Sequence, residues 1–320
     1  MSKDLSQKYF FILFSIIPLS IILGPSISLL NILVVAFSFI FFIFLKKEFK
    51  FLKNKVVILL FILYFYLIFN SFIALDFDES LKRNFGFLRF IILFTAINYF
   101  FYTNENFKRI FFYWSIILLI FLLDVYFEII VGQNILGFGG AHMAGRIVSF
   151  FKDEPIAGAY LSSFFLLIIG YHLQNLDSFS EIKKNKDKYI FLLMLILAAI
   201  VLAIFLTGER SNFIKSFIGV SFFFAIYKSI NLRFKILIVL IFLLSIGSII
   251  ANSDYLKLRY YNQFIGIFLT ADKYKDQKIH NLMSLRKYSD HYKSGINVFK
   301  KYPIFGVGNK NFRVETCNPN

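Results

Sequence analysis

The sequence predicts an all-α polytopic membrane protein, and three observations carry that prediction: the apolar share, the recurrence of long apolar stretches, and the placing of the basic residues. The chain has 320 residues, of which 58% are hydrophobic, and its mean hydropathy is +0.69. Soluble proteins need a smaller apolar share, patterned as one-sided faces rather than long uninterrupted runs. Phe (46 residues) and Tyr (18) are abundant, as are Ile, Lys and Asn, the residues that AT-rich codons encode. The aromatic content by itself therefore signals no ligand cage. A net charge of +16 would suggest nucleic acid in a soluble protein, but here Lys and Arg sit mostly in short loops between apolar runs, where their role is topological. The single cysteine, Cys317, cannot form an intramolecular disulfide, and no Cys/His spacing suited to a metal is present.

A helix needs about 17 to 25 apolar residues to cross a bilayer, and helices and closed barrels are the structures that satisfy their own backbone polar groups in lipid. About nine stretches read as spans: 9–23, 26–45, 56–74, 87–102, 110–131, 157–173, 189–207, 213–230 and 236–251. The first follows a short polar N-terminus with no small-residue cleavage site before the next span, so it is read as retained. With alternate loops on alternate sides, one side holds fifteen basic residues: Lys3, Lys8, Lys46, Lys47, Lys50, Lys53, Lys55, Lys108, Arg109, Lys183, Lys184, Lys186, Lys188, Arg233 and Lys235. The short loops of the other side hold Lys82, Arg83, Arg146, Lys152 and Arg210. The bias puts the first side, and the N-terminus with it, in the cytoplasm. Residues 1–251 are then a transmembrane helical domain and 252–320 a large periplasmic segment. Within that segment Leu285, Tyr288, Tyr292, Ile296 and Phe299 recur at spacings of three and four with Lys and Arg between them, the pattern of an amphipathic helix lying along the membrane surface. Lys300 and Lys301 suit its C-terminal dipole, and Pro303, Gly306 and Gly308 end it in a turn-rich loop.

Among the outward loops, Thr207-Gly208-Glu209-Arg210-Ser211-Asn212 is a tight turn between two spans. Ser211 or Asn212 can cap the following helix, and its free N–H groups and positive end would assist Arg210 in holding an anion, with pyrophosphate a good fit. An arginine snorkelling to the interface and paired with Glu209 is the other reading. Arg146 precedes a span that begins with the small residues Ala157, Gly158 and Ala159, which permit close helix packing, while Asp153 and Glu154 offset a helix dipole. Arg286, near the start of the amphipathic helix, has the properties of a headgroup contact. Asp124 and Glu128, four apart in the fifth span, form an acidic pair that suggests proton coupling or a polar substrate contact, although Glu128 lies near the outer end, close to water. His142, His280 and His291 read as surface histidines, and His172 lies near the cytoplasmic interface.

Together, the Gly208-Glu209-Arg210-Ser211-Asn212 loop and the run from Arg286 through Tyr302-Pro303-Ile304-Phe305-Gly306-Val307-Gly308-Asn309-Lys310-Asn311-Phe312 resemble the O-antigen ligase and polymerase family in order and spacing. In that family an arginine follows a Gly or Ser in a short periplasmic loop, and a second arginine opens a periplasmic helix that ends in Pro-x-x-Gly-x-Gly, the most specific part of the match. Arg146 and residues 151–161 also look like the family's earlier loop, with Asp153-Glu154-Pro155 where Asn-Pro is more usual. The resemblance runs from about Gly132 to the end, and the first spans match only in hydropathy.

The resemblance implies a glycosyltransferase of the bacterial inner membrane, acting in lipopolysaccharide biosynthesis. It would move a glycan from an undecaprenyl-diphosphate carrier to an acceptor hydroxyl on lipid A core or another acceptor at the periplasmic face, or, as a polymerase, onto a growing glycan. It also implies that Arg210 and Arg286 are catalytic, binding the pyrophosphate and stabilising the leaving charge, and that Arg146, Ser211, Asn212, Gly306 and Gly308 bind substrate. No metal or cofactor is implied. The family carries a histidine beyond the Gly-x-Gly run and further spans after it, so the chain is expected to be truncated at its C-terminus, and inactive if it is not. His280 and His291 precede the motif and do not replace that histidine. A transporter or lipid flippase is the reading from another class, but it calls for charges in several spans and repeated halves, whereas only Asp124 lies deep and no repeat is visible. A structural anchor would explain the spans and leave the arginines without a role.

Overall fold

The computed structural model describes residues 3–101, 106–139, 146–152, 154–174, 186–226, 232–257, 260 and 282–317. Over these residues each of the nine predicted stretches falls on helix, and no strand occurs among them. Five described helices are long and apolar enough to cross a membrane: Pro25–Lys46, Lys55–Phe72, Phe77–Phe101, Phe107–Val131 and Lys188–Leu206. A sixth arises if Leu5–Ser15 and Ile17–Leu23 form one broken span, bent by 44°. Pro18 explains the break, because it has no N–H to donate one turn back and its ring crowds that carbonyl. Ala157–Leu173 and Leu243–Asn252 are shorter apolar helices. The protein is thus a multi-pass membrane protein whose regular structure, among the described residues, is all helical.

The chain divides into two compact units, one made of Met1–Ser20, Pro25–Lys108 and Tyr274–Asn320, the other of Ile21–Gly24 and Arg109–Lys273. The first contains α1 (Lys3–Ser15), α3 (Pro25–Lys46), α4 (Lys55–Phe72), α5 (Phe77–Phe85) and α6 (Leu88–Phe101), and α2 (Ile17–Leu23) begins in it. Gly24 at φ +129° turns the chain, and Pro25 starts α3 at a position whose N–H is not needed. Asn54 caps α4 by accepting from the Val56 N–H at 2.9 Å, and Asp76 caps α5 through the Glu79 N–H at 3.0 Å. Phenylalanine fills the unit's interior: Phe10 stacks on Phe100 at 4.3 Å and Phe42 meets the same ring at 5.2 Å. The abundant aromatics therefore act here as packing, where dispersion rather than the hydrophobic effect holds helices together in lipid.

The second unit holds α7 (Asn106–Val131, of which Arg109 onward belongs here), α8 (Ala157–Gln174), α9 (Lys186–Leu206), α10 (Arg210–Ile226) and α11 (Leu232–Asn252). Helix α9 is the most enclosed span, with Ala203, Ile204 and Phe205 fully buried. It packs on α8 and α10. Gly219 lets α10 close on α8, since a β-carbon there would lie 2.7 Å from Leu166 Cδ1. Helices α12 (Leu282–Lys301) and α13 (Phe312–Cys317) belong to the first unit.

Candidate functional site

The predicted site residues fall into two groups. In the second unit the acidic pair of α7 comes first, because it fixes the loop that carries Arg146. Asp124 accepts from Ser149 Oγ at 2.5 Å and from the Ile135 N–H at 3.0 Å. Glu128 accepts from the Ser149 N–H at 2.6 Å and the Val148 N–H at 3.1 Å. Asn134 completes the fold of the loop, donating to the Ser149 carbonyl at 2.9 Å and accepting from the Phe138 N–H at 2.7 Å. Both carboxylates are buried, and a buried acceptor surrounded by backbone donors is an anchor for those donors. The pair read as proton coupling or substrate contact is engaged in holding Ile135, Val148 and Ser149 in place.

Arg146, half-buried, lies three residues before Ser149, and its charge acts on Glu209. Glu209 sits between α9 and α10. Its carboxylate accepts from the Gly158 N–H at 2.7 Å, from the Ala159 N–H, and from Asn212 Nδ2 at 2.5 Å. It thereby satisfies the free N–H groups at the start of α8, where the helix dipole favours negative charge. Burial raises the Glu209 carboxyl above the usual glutamate range, and the bonds from Asn212, Gly158 and Ala159 together with the Arg146 charge only partly offset this. The turn leaves little spare room. Gly208 has φ +74°, and a β-carbon on it would lie 2.6 Å from the Tyr255 hydroxyl. One on Gly158 would lie 2.7 Å from Thr207 Oγ1.

This geometry changes the part played by Ser211 and Asn212. The sharp turn at Gly208 lets α10 begin at Arg210, so both residues stand in its first turn instead of at its cap. Ser211 is exposed, and Asn212 reaches back to Glu209. Arg210 is half-buried on the same first turn. The second unit thus gathers Arg146, Glu209, Arg210, Ser211 and Asn212 around the meeting of the α8 and α10 N-termini. His172, read as lying near an interface, bonds Ser115 at 2.9 Å and Tyr189 at 3.4 Å.

Arg286, Gly306 and Gly308 lie in the first unit. Arg286 is in the first two turns of α12. The Pro303–Gly308 run is seated on the corner between α4 and α5. Asn70 Nδ2 donates to the Phe305 carbonyl at 2.8 Å, and the Leu75 N–H to the Val307 carbonyl at 3.3 Å. Asn309 Nδ2 donates to Asn84 Oδ1 at 2.8 Å, while Asn311 bonds Asp76 through both the Asp76 N–H (2.5 Å) and its carbonyl (3.2 Å). Asn84 in turn donates to the Leu67 carbonyl and to Ser71 Oγ, each at 2.8 Å. Gly306 (φ +71°) and Gly308 (φ +94°) take left-handed backbone, and a β-carbon on Gly308 would lie 2.3 Å from Ala74 Cβ. The run's second glycine is therefore required by close approach to the α4–α5 corner. His142, His280 and Asp153 lie outside the described residues, while His291 is exposed on α12.

Sequence reasoning did not single out Asn70, Ser71, Ser80, Asn84 or Asn311, all buried. Their signal was present: polar residues at the end of an apolar stretch are costly in lipid unless they find partners.

Residues 191–317, from α9 through α13, match the family model described as O-antigen ligase. That segment is similar to the O-antigen ligase family. Searches among curated proteins and among solved structures return no match. The matched segment takes in Arg210, Ser211, Asn212, Arg286, Gly306 and Gly308, while Arg146 and the α4–α5 seat lie before it.

Proposed function

We propose that the protein is an O-antigen ligase that moves a glycan from an undecaprenyl-diphosphate carrier to an acceptor hydroxyl, such as that of lipid A core, at the periplasmic face of the bacterial inner membrane, with its N-terminus in the cytoplasm. The match of residues 191–317 to the O-antigen ligase family carries this reading. The acceptor oxygen forms its bond to the anomeric carbon and gives up its proton. The bond from that carbon to the diphosphate oxygen breaks, and polyprenyl diphosphate departs with the electron pair. Arg210 and Arg286 bind the diphosphate and offset its growing charge, each charge-assisted hydrogen bond contributing about 1.5 to 3 kcal/mol. Arg146, Ser211, Asn212, Gly306 and Gly308 complete the substrate surface. The first-turn position of Arg210 supports this role, because the N–H groups and dipole of α10 favour anions. A polymerase uses the same donor and differs in its acceptor.

The test is complementation. The full-length gene is expressed in hosts lacking either the ligase or the polymerase, beside its Arg210→Ala and Arg286→Ala variants, and the surface-glycan ladder is read. Restoration in one host, lost in both variants with protein still in the membrane, supports the reading and names the reaction. Restoration that is indifferent to both arginines overturns the mechanism.

A further inference from the structure

Helix α12 leaves its most apolar stripe uncovered. Tyr292, Ile296 and Phe299 follow one another at spacings of four and three, so they share a face, and they are 67%, 55% and 65% exposed. One narrow face, Ser294, Gly295 and Val298, is half-buried, while Asp290, His291, Asn297 and Lys301 are exposed like the stripe, and α13 is tied to the last turn by the Lys301–Glu315 ion pair at 2.7 Å. An apolar stripe left open beside a row of exposed polar residues marks an interaction surface. The apolar surface continues past the helix end. Ile304 and Phe305 are exposed, and Phe305 packs edge-on against Phe69 at 6.0 Å, while its carbonyl is held by Asn70. Phe69 lies near the end of α4, a spanning helix whose Phe65 and Phe72 are likewise exposed. The end of a span meets the boundary between hydrocarbon and headgroups, so the seat sets the depth of the stripe at that boundary. Lys293 and Lys300, both exposed, each follow a stripe residue and stand about 100° around the helix from it, where a long cationic side chain reaches headgroup phosphates.

We infer that α12 is a membrane-surface helix: seated on α4 by the loop that follows it, it lays Tyr292, Ile296 and Phe299 into the bilayer's headgroup boundary and directs Lys293 and Lys300 to anionic lipid phosphates. The continuity of the stripe with α4 and its basic flank select a lipid surface over a second copy of the chain or another protein. The inference stands apart from the transfer reaction.

The experiment uses full-length protein with its single cysteine removed by Cys317→Ser. New cysteines are placed by Ile296→Cys and Phe299→Cys on the stripe, by Asn297→Cys and Lys301→Cys off it, and by Phe65→Cys as a lipid-facing reference. Each is labelled with bimane in vesicles of phosphatidylethanolamine and phosphatidylglycerol. The expected result is quenching of the stripe labels by lipids carrying a nitroxide high on the acyl chain, with iodide quenching several-fold weaker than at Asn297 and Lys301, and Phe65→Cys quenched from lipid throughout. Iodide reaching stripe and off-stripe labels equally would overturn the inference. So would stripe labels shielded from both quenchers, which would mean that protein covers them.

Discussion

Glu209 links α8, α10 and Arg146 through one carboxylate. Replacing it by Ala leaves the Gly158 and Ala159 N–H groups without their acceptor, at a cost of about 1 to 3 kcal/mol. Gln retains an oxygen for them, and its NH2 donates to Asn212 once the Asn212 amide turns its Oδ1 toward it, so Glu209→Gln should unfold within a few degrees of wild type in a thermal scan, well above Glu209→Ala. The carboxyl also predicts a pH dependence. Burial holds it above the ordinary glutamate range, so the folded protein holds this proton more tightly than the unfolded chain does. That contribution is fully present below the unfolded value and is lost as pH rises through the raised folded one. Wild type should therefore gain stability relative to Glu209→Gln as pH falls through that window, and a constant difference would contradict the raised value. The sequence pointed to Arg210 and its turn, but it could not tell that Glu209 belongs to the start of α8, because that contact joins residues 51 positions apart.

At the scale of elements, the Pro303–Gly308 loop and the α4–α5 corner form one interlocked piece. Gly308 and Gly306 separate two causes of glycine's presence. Both have positive φ, which costs an L-residue about 1 to 2 kcal/mol, but only at Gly308 would a β-carbon also strike Ala74, adding an overpacking cost of about 1 to 3 kcal/mol. Gly308→Ala should thus lower thermal stability distinctly more than Gly306→Ala, and equal losses would mean that the close approach is absent. Asn84→Ala removes the partner of Asn309, Ser71 and the Leu67 carbonyl at once and should speed proteolysis after Lys300, Lys301 and Lys310, with α4 still in the membrane. Helix positions were legible in the sequence because apolar runs of this length allow little else in lipid. The seat was not, because hydropathy describes Asn70 and Asn84 as interruptions and is silent about partners more than 200 residues away.

For the whole molecule, the positive-inside bias predicts that the segment ending near Cys317 lies opposite the N-terminus. Cys317 is exposed and is the only cysteine. A membrane-impermeant maleimide should label it in spheroplasts without lysis, whereas a cysteine placed at Lys47 should react only after lysis. The reverse order would invert the topology. The composition made the membrane class legible, and Gly208-Glu209-Arg210 with Pro303 to Gly308 made the likeness of residues 191–317 to the O-antigen ligase family legible.

The most direct measurement takes purified full-length protein in lipid nanodiscs with a polyprenyl-diphosphate-linked oligosaccharide and a lipid A core acceptor, and follows release of polyprenyl diphosphate together with glycosylated acceptor. The expected result is equal molar release of the two products by wild type, reduced about ten- to hundred-fold by Arg210→Ala and by Arg286→Ala, the loss of one charge-assisted hydrogen bond apiece. Product formation at the wild-type rate by both variants, or an intact donor in the presence of well-folded wild type and its acceptor, would contradict it.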